Sequence, residues 1–469
     1  MIMATMGNNL SEGKVLTKLF RFALPFLATN LVQSFYNVAD MLIVGNFSGT
    51  LGMSGVNIGG QVTMILTFLV IGLSMGATVI IGQYVGAGNR EGLQRVTATL
   101  ITLLLIMALG LTAVMLILKG PILRLIKTPA ESYGEADRYL TITVAGLVFI
   151  FGYNAFSGIL RGMGDSKHPF YFVLIACITN VILDLLFVAV FKWSAFGAAL
   201  ATIISQALSM FLCIGYMRRN DFQFDFKPSS FRIDRDQLVL IFKIGLPTCI
   251  QNGVTSISFL FITGIVNMIG GVSASAAVGA VSKFNSFGIM PTQAISASIS
   301  AMSAQNIGAN RMDRAVQACR IGIAVSAGVT AIIFALVRLF PAQIMLIFGD
   351  DPEMIQMGVS FLRAFSAEFL IIPFFFCING FLIGGGHTLF CLIVGVISSV
   401  VLRVPVCYIF GVVLDWGIFG VGLGYPAAVG GSFLLVIGFL LSGRWKRNAV
   451  IHRHTAEGIQ KEPDQDREA

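Results

Sequence analysis

Apolar residues recur along this chain in long runs, each sufficient to cross about 30 Å of hydrocarbon as a helix. Twelve such runs fall at 15–44, 54–82, 94–118, 138–160, 169–191, 195–217, 238–268, 275–304, 315–340, 358–383, 388–412 and 418–442. The pattern predicts an all-α polytopic membrane protein of twelve transmembrane helices. An even number of crossings returns the chain to the side on which it began. Met1 to Ser11 is polar, and the first run is too long for the core of a cleavable signal, so the first helix is expected to stay in the membrane.

The longest charged interruption, Arg218 to Lys243, divides the runs into two groups of six, and the groups match at a displacement of 222 residues. FRFALP (Phe20–Pro25) answers FKIGLP (Phe242–Pro247), and Gln83 with Gly86-Ala87 answers Gln305 with Gly308-Ala309. Gly158, Gly162, Gly164 and Ser166 answer Gly380, Gly384, Gly386 and Thr388; later, FGAAL (Phe196–Leu200) answers FGVGL (Phe419–Leu423), slipped by one. Six spans per half give parallel repeats, an architecture in which transporters bind substrate near mid-membrane where the halves meet. The expected organisation is a cytoplasmic amino terminus (1–14), a first lobe (15–217), a cytoplasmic linker (218–237), a second lobe (238–442) and a cytoplasmic tail (443–469). Glycines such as Gly72, Gly76, Gly82, Gly264, Gly279, Gly422 and Gly424 are expected to permit close helix approach.

Composition agrees with a membrane protein: 56% of residues are hydrophobic and only 12% charged, about half the charge of a soluble domain. The formal net charge of +8 is no sign of nucleic-acid binding, because the basic residues sit in short loops and the tail. Most occupy alternate loops, at Arg90 and Arg95, Arg161 and Lys167, Arg218 through Lys243, Arg311 through Arg320, and Arg444 through Arg447, while the opposite loops hold little beyond Lys119, Arg124, Lys127, Arg138, Lys192 and Arg338, some of them offset by Glu131, Glu135, Asp350 and Asp351. By the positive-inside rule both termini are cytoplasmic, in the plasma membrane. The seven cysteines lie in apolar runs without CxxC spacing and read as small core residues. FQFDFKPSSF (Phe222–Phe231) reads as a connecting loop or an interfacial piece, and the polar tail after Arg444 as disordered.

Apart from Lys18, Arg21, Arg95, Arg138, Lys243, Arg320 and Arg338, which belong with the basic flanks of their runs, few ionisable residues fall inside the runs: Asp40, Asp184, Lys283, Arg363, Glu368 and Arg403. An Asp at a helix centre costs about 2.5–3.5 kcal/mol on insertion scales, so such residues face a protein interior or a water-filled path and mark an ion or substrate route. Asp40 either does this or, near the end of its run, reaches the far headgroups. Pro25 lies in the same helix, where it frees a carbonyl and is expected to introduce a gating kink. In ITNVILDLLF, Asn180 and Asp184 are four apart and share a helix face. A carboxamide beside a carboxylate hydrogen-bonds either protonation state, so the pair can load and release H⁺ or bind Na⁺ through oxygen. Desolvation and a second nearby acid both favour the protonated form of a carboxyl group, which puts H⁺ ahead of Na⁺. Thr202 adds a hydroxyl there, or serves as interhelical glue. His168 and His387 stand apart, His452 and His454 lie in the tail, and no P-loop occurs, so neither a metalloenzyme nor an ATP-driven pump is expected.

FYNVADMLIVG, the GQYVGAGN turn, the LRGMGDSKHP loop, the NxxxD of the fifth span and the repeat together resemble the MATE family of multidrug and toxic-compound exporters. The resemblance covers nearly the whole chain. It implies two six-helix bundles around a V-shaped cavity, and antiport of drugs, mostly organic cations, against H⁺ or Na⁺ without a cofactor, by a monomer in the lipid bilayer. By position Asp40, Asn180, Asp184 and Thr202 match the amino-terminal acid network of the DinF-like branch, where Na⁺ is the alternative occupant. The NorM-type branch carries a Glu in the seventh helix and an Asp in the tenth; here TCIQNGVTSISF has no acid and the tenth-span position is Ile372, one turn from Glu368. Glu368 either supplies a second-lobe acid or pairs with Arg363. A flippase for lipid-linked precursors is the alternative reading, and Lys283 and Arg403 would be its thin basic lining.

Overall fold

The computed structural model describes residues 9–220, 222, 224, 227, 230–446 and 450. Half of the Phe222–Phe231 segment, and almost all of the tail beyond Arg444, falls outside the described residues. Among the described residues the chain is helical: α1 (Val15–Ala87), α2 (Arg90–Leu125), α3 (Ala130–Ala145), α4 (Leu147–Gly162), α5 (Lys167–Asp184), α6 (Ser194–Arg219), α7 (Arg235–Gly308), α8 (Met312–Leu339), α9 (Pro341–Leu346), α10 (Pro352–Phe365), α11 (Glu368–Gly384), α12 (Thr388–Val396), α13 (Val404–Tyr408) and α14 (Gly417–Leu441).

Helices α1 and α7 hold 73 and 74 residues. At 1.5 Å per residue each would run about 110 Å, far beyond one bilayer thickness. Each is broken near its middle, α1 at Gly49 (φ 65°, ψ −165°) and α7 at Gly270 and Gly271, the latter with φ 54°. Gly49 and Gly271 are repeat partners in the left-handed region, which a side chain would strain. Each long helix therefore crosses twice. Two pairs, α3 with α4 and α10 with α11, are single spans bent by 49° and 52°. With these and the remaining apolar helices the chain makes the twelve crossings read from the sequence. Around Pro25 the backbone keeps helical dihedral angles, and the Thr29 hydroxyl donates to the Pro25 carbonyl at 2.8 Å. The interruption of α1 belongs to Gly49.

The chain forms two compact units, one built from Arg21–Ile81 and Arg90–Cys249, the other from Leu10–Phe20, Gly82–Asn89 and Ile250 onward. The repeat is visible in how each packs. In the first, a Cβ at Gly158 would meet the Ser74 carbonyl and one at Gly162 the Thr78 carbonyl; in the second, Gly380 meets Ser296 and Gly384 meets Ser300, every residue displaced by the same 222 positions. Within the second unit the two QxxGA motifs, Gln83–Ala87 and Gln305–Ala309, cross each other. Gly86 lies against the Gln305 carbonyl and Gly308 against the Gln83 carbonyl, a reciprocal contact between repeat partners. Gln83 Nε2 donates to the Gly384 carbonyl at 3.0 Å, and Gln305 Oε1 accepts from the Leu10 backbone N–H at 3.0 Å. Gly72, Gly76, Gly422 and Gly424 also pack closely, whereas Gly264 and Gly279 face open space, so their expected packing role does not hold.

The one-residue slip late in the repeat has a structural address. Helix α5 continues through one π-helical segment, Leu185–Val190, before α6; its counterpart α12 continues through two, Ile397–Arg403 and Ile409–Val413, with α13 between them. An i→i+5 turn holds one residue more than an i→i+4 turn. The additional segment absorbs the extra residue. Beyond it the contacts match at 223: Gly197 packs on Phe187 and Gly420 on Phe410, and Trp193 N–H bonds to Phe187 as Trp416 N–H does to Phe410.

Candidate functional site

Four helices of the first unit bring the intramembrane polar groups together. Asp40 comes from the first arm of α1, Tyr139 from α3, Asn180 and Asp184 from one face of α5, and Thr202 from α6. Small residues let them meet: Ala195, Ala198 and Ala199 of α6 are fully buried with Ile43, Val44, Tyr139 and Val188. Asp184 is 0% and Asn180 1% exposed, while Asp40 is partly covered. In the amide orientation that satisfies both ends, Asn180 Nδ2 donates to Asp184 Oδ2 at 2.8 Å and Asn180 Oδ1 accepts from the Thr202 backbone N–H at 3.1 Å. The Thr202 hydroxyl bonds to the Tyr36 hydroxyl at 3.2 Å.

The side chains of Asp40 and Asp184 lie within hydrogen-bonding reach of each other. Two carboxylates are both acceptors, so such a contact needs a proton on one of them. Asp40 Oδ1 and Asp184 Oδ1 are enclosed without a protein donor. All four residues singled out from the sequence, Asp40, Asn180, Asp184 and Thr202, fall in this cluster. Tyr36 and Tyr139, which flank it, were not singled out, although Tyr36 stands one turn before Asp40 in the sequence.

Beside the acids is a cavity of about 460 Å³ within the same unit. Asn180, Thr202, Tyr36 and Tyr139 form part of its wall, and Asp40 and Asp184 do not. The acids touch the cavity through intermediaries, chiefly Asn180.

The second unit carries different chemistry at the equivalent places. Ile262 stands for Asp40, and, at the 223-residue displacement, Arg403 at the end of the extra π-turn, Cys407 and Tyr425 stand for Asn180, Asp184 and Thr202. The guanidinium of Arg403 lies 5.0 Å from the centre of the Tyr425 ring and 5.5 Å from that of Phe259, a cation–π arrangement. Phe361, Phe365, Phe369 and Tyr425 pack ring against ring at 5.2–5.7 Å. Glu368 is buried and feels the charge of Arg403; the alternative partner, Arg363, is exposed. Glu368 Oε2 and Arg403 Nε each stay buried without a protein partner. Lys283 is exposed and Arg403 buried.

Comparison with known proteins follows the same division. The MatE family model matches the chain twice, over residues 25–186 and 247–409. A protein named Probable multidrug resistance protein YoeA, of Bacillus subtilis (strain 168), is 29% identical over 447 residues, covering 94% of this chain and 96% of that one. A Probable multidrug resistance protein NorM of Thermotoga maritima is 27% identical over 451 residues, covering 94% and 96%. A solved structure described as the outward-facing conformation of a multidrug resistance MATE family transporter of the MOP superfamily superposes with a TM-score of 0.86 at 24% identity, over 97% of this chain and 99% of that one. That likeness establishes the fold.

Proposed function

The chain belongs to the MatE family of membrane transporters, and from that premise we propose that it is a secondary exporter, moving small organic compounds, organic cations among them, out of the cell in exchange for protons. The observation that carries the reading is the contact between Asp40 and Asp184. Two acids at this distance repel when both are ionised, so a proton taken up by one relieves the other. The ionised cluster draws a cationic compound, the protonated cluster releases it, and competition for one charge gives exchange.

The state of the remaining ligands supports H⁺ over Na⁺. Both ends of the Asn180 amide are engaged, as is the Thr202 hydroxyl. A hard cation wants several free oxygens at once, and a proton needs one. Efflux from inverted vesicles is the test, with a pH gradient or a Na⁺ gradient imposed separately. Transport that follows the pH gradient is expected. Transport that follows only Na⁺ at constant pH would overturn the choice of ion, and none under either gradient would overturn the exporter reading.

The same proposal places both termini in the cytoplasm of the plasma membrane, from the basic loops. The break at Gly49 is the natural outward labelling point, but its positive φ makes the exposed neighbour Thr50 the better cysteine site. Thr50→Cys and Val272→Cys are expected to react with an impermeant maleimide on intact cells, and Asp313→Cys only after permeabilisation, each measured above the wild-type background. The opposite pattern inverts the topology.

A further inference from the structure

Among the described lysines and arginines only Arg403 is buried, at 9% exposed. A cation inside a membrane protein is costly unless its surroundings stand in for water. Here four helices supply that replacement. Phe259 of α7 and Tyr425 of α14 present their rings to the guanidinium at 5.5 and 5.0 Å, and Tyr425 is braced by Phe361 and Phe365 of α10. Glu368 of α11, 4% exposed, feels the guanidinium charge. Aromatic faces with an acid nearby are the chemistry that holds an organic cation, whatever its origin.

The corresponding place in the first unit is arranged otherwise. At the 223-residue displacement Arg403 and Tyr425 stand where Asn180 and Thr202 stand beside the two acids. No arginine or lysine among the described residues acts on Asp40 or Asp184, so their partner comes from outside the chain. In the second unit a cation is already part of the chain. Its Nε and the Glu368 Oε2 are each enclosed without a protein partner, so at these atoms Arg403 is held by rings and field rather than by a hydrogen bond. A free guanidinium can reproduce such a hold.

We propose that Arg403 is a tethered cation filling a cage for organic cations, and that it closes the second unit to cations from outside the chain. Truncated at Cβ, Arg403 leaves the outline of ethylguanidinium, so the cage takes a compact or planar organic cation. The inference goes beyond the exporter reading and rests on it only for its consequence, that cation exchange is confined to the acids of the first unit. The cage itself is tested without transport.

The test uses purified full-length protein in detergent, its thermal unfolding midpoint, and two probes of one shape. Ethylguanidinium carries the charge; N-ethylurea does not. Arg403→Ala is expected to be stabilised by ethylguanidinium, saturably and at concentrations at least about tenfold below any effect of N-ethylurea. The wild type, its cage already filled, is expected to respond to both alike. Adding Tyr425→Leu or Glu368→Gln to Arg403→Ala is expected to weaken ethylguanidinium about fivefold. A second measurement holds even where Arg403→Ala does not fold. Arg403→Met keeps the length of the stem and leaves Glu368 a lone buried acid, so its midpoint is expected to fall, and Glu368→Gln added to it is expected to return at least half of the loss. Accumulation of the double variant alone counts as recovery, and accumulation of neither as none. No preference of Arg403→Ala for ethylguanidinium, the same preference in the wild type, indifference to Tyr425 and Glu368, or no recovery would overturn the proposal. A filled cage without gradient-driven efflux would remove the exporter reading and leave this one; efflux without the cage behaviour would do the reverse.

Discussion

Replacing Asp40 or Asp184 by Asn is expected to reduce gradient-driven efflux to the background of vesicles lacking the protein, and replacing both is expected to do no further harm. Independent residues would give losses that multiply. In the proposed mechanism the two neighbouring acids share one proton site, so either loss removes the whole exchange step. Asn keeps the size of Asp and its hydrogen bonding while losing the proton, which separates chemistry from packing. The check is efflux per unit of membrane-inserted protein for the wild type, both single variants and the double variant. Full activity in either single variant would remove that residue from the mechanism.

Gly86→Ala and Gly308→Ala are expected to abolish accumulation of monodisperse protein, each alone. The added methyl would fall on the backbone carbonyl of Gln305 or Gln83, where no flexible side chain can give way. Overpacking typically costs about 1–3 kcal/mol, and a clash with backbone in a reciprocal crossing belongs at or above the top of that range. Gly264→Ala and Gly279→Ala supply the control, since nothing stands within 4 Å of a Cβ at either. Fluorescence-detected gel filtration of all four variants in detergent decides the matter. Equal yields would show that the crossing is not needed for folding.

How much of this was legible in the sequence depends on what each feature rests on. Span length and the repeat follow from hydrocarbon thickness and from identities such as Gly86 with Gly308, and both appear in the fold. Asp40, Asn180 and Asp184 stand out because a polar group in an apolar run is costly, and Asn180 and Asp184 share a face through their i, i+4 spacing. That Asp40 reaches Asp184 across helices is tertiary and has no local signal. Arg403 reads from sequence as a lone cation in the second half, whereas its aromatic shelter comes from Phe259 and Tyr425 on two other helices. Gly264 and Gly279 show the converse error, since composition cannot say which glycines lie at a contact.

The extra π-turn at Ile397–Arg403 bears on how the halves of a duplicated gene can diverge. A codon gained or lost in an aqueous loop is easily accommodated, but in a membrane helix the backbone cannot be looped out into lipid without stranding its polar groups. Left in a regular helix, the added residue would turn every later position by about 100° and advance it by about 1.5 Å. Widening one turn takes up the difference, so Trp416 and Gly420 still meet Phe410 as Trp193 and Gly197 meet Phe187. Insertion and deletion thus join substitution as routes of change inside the bilayer, and a half-gene can be re-chemistried around Arg403 while its neighbouring contacts keep their original partners.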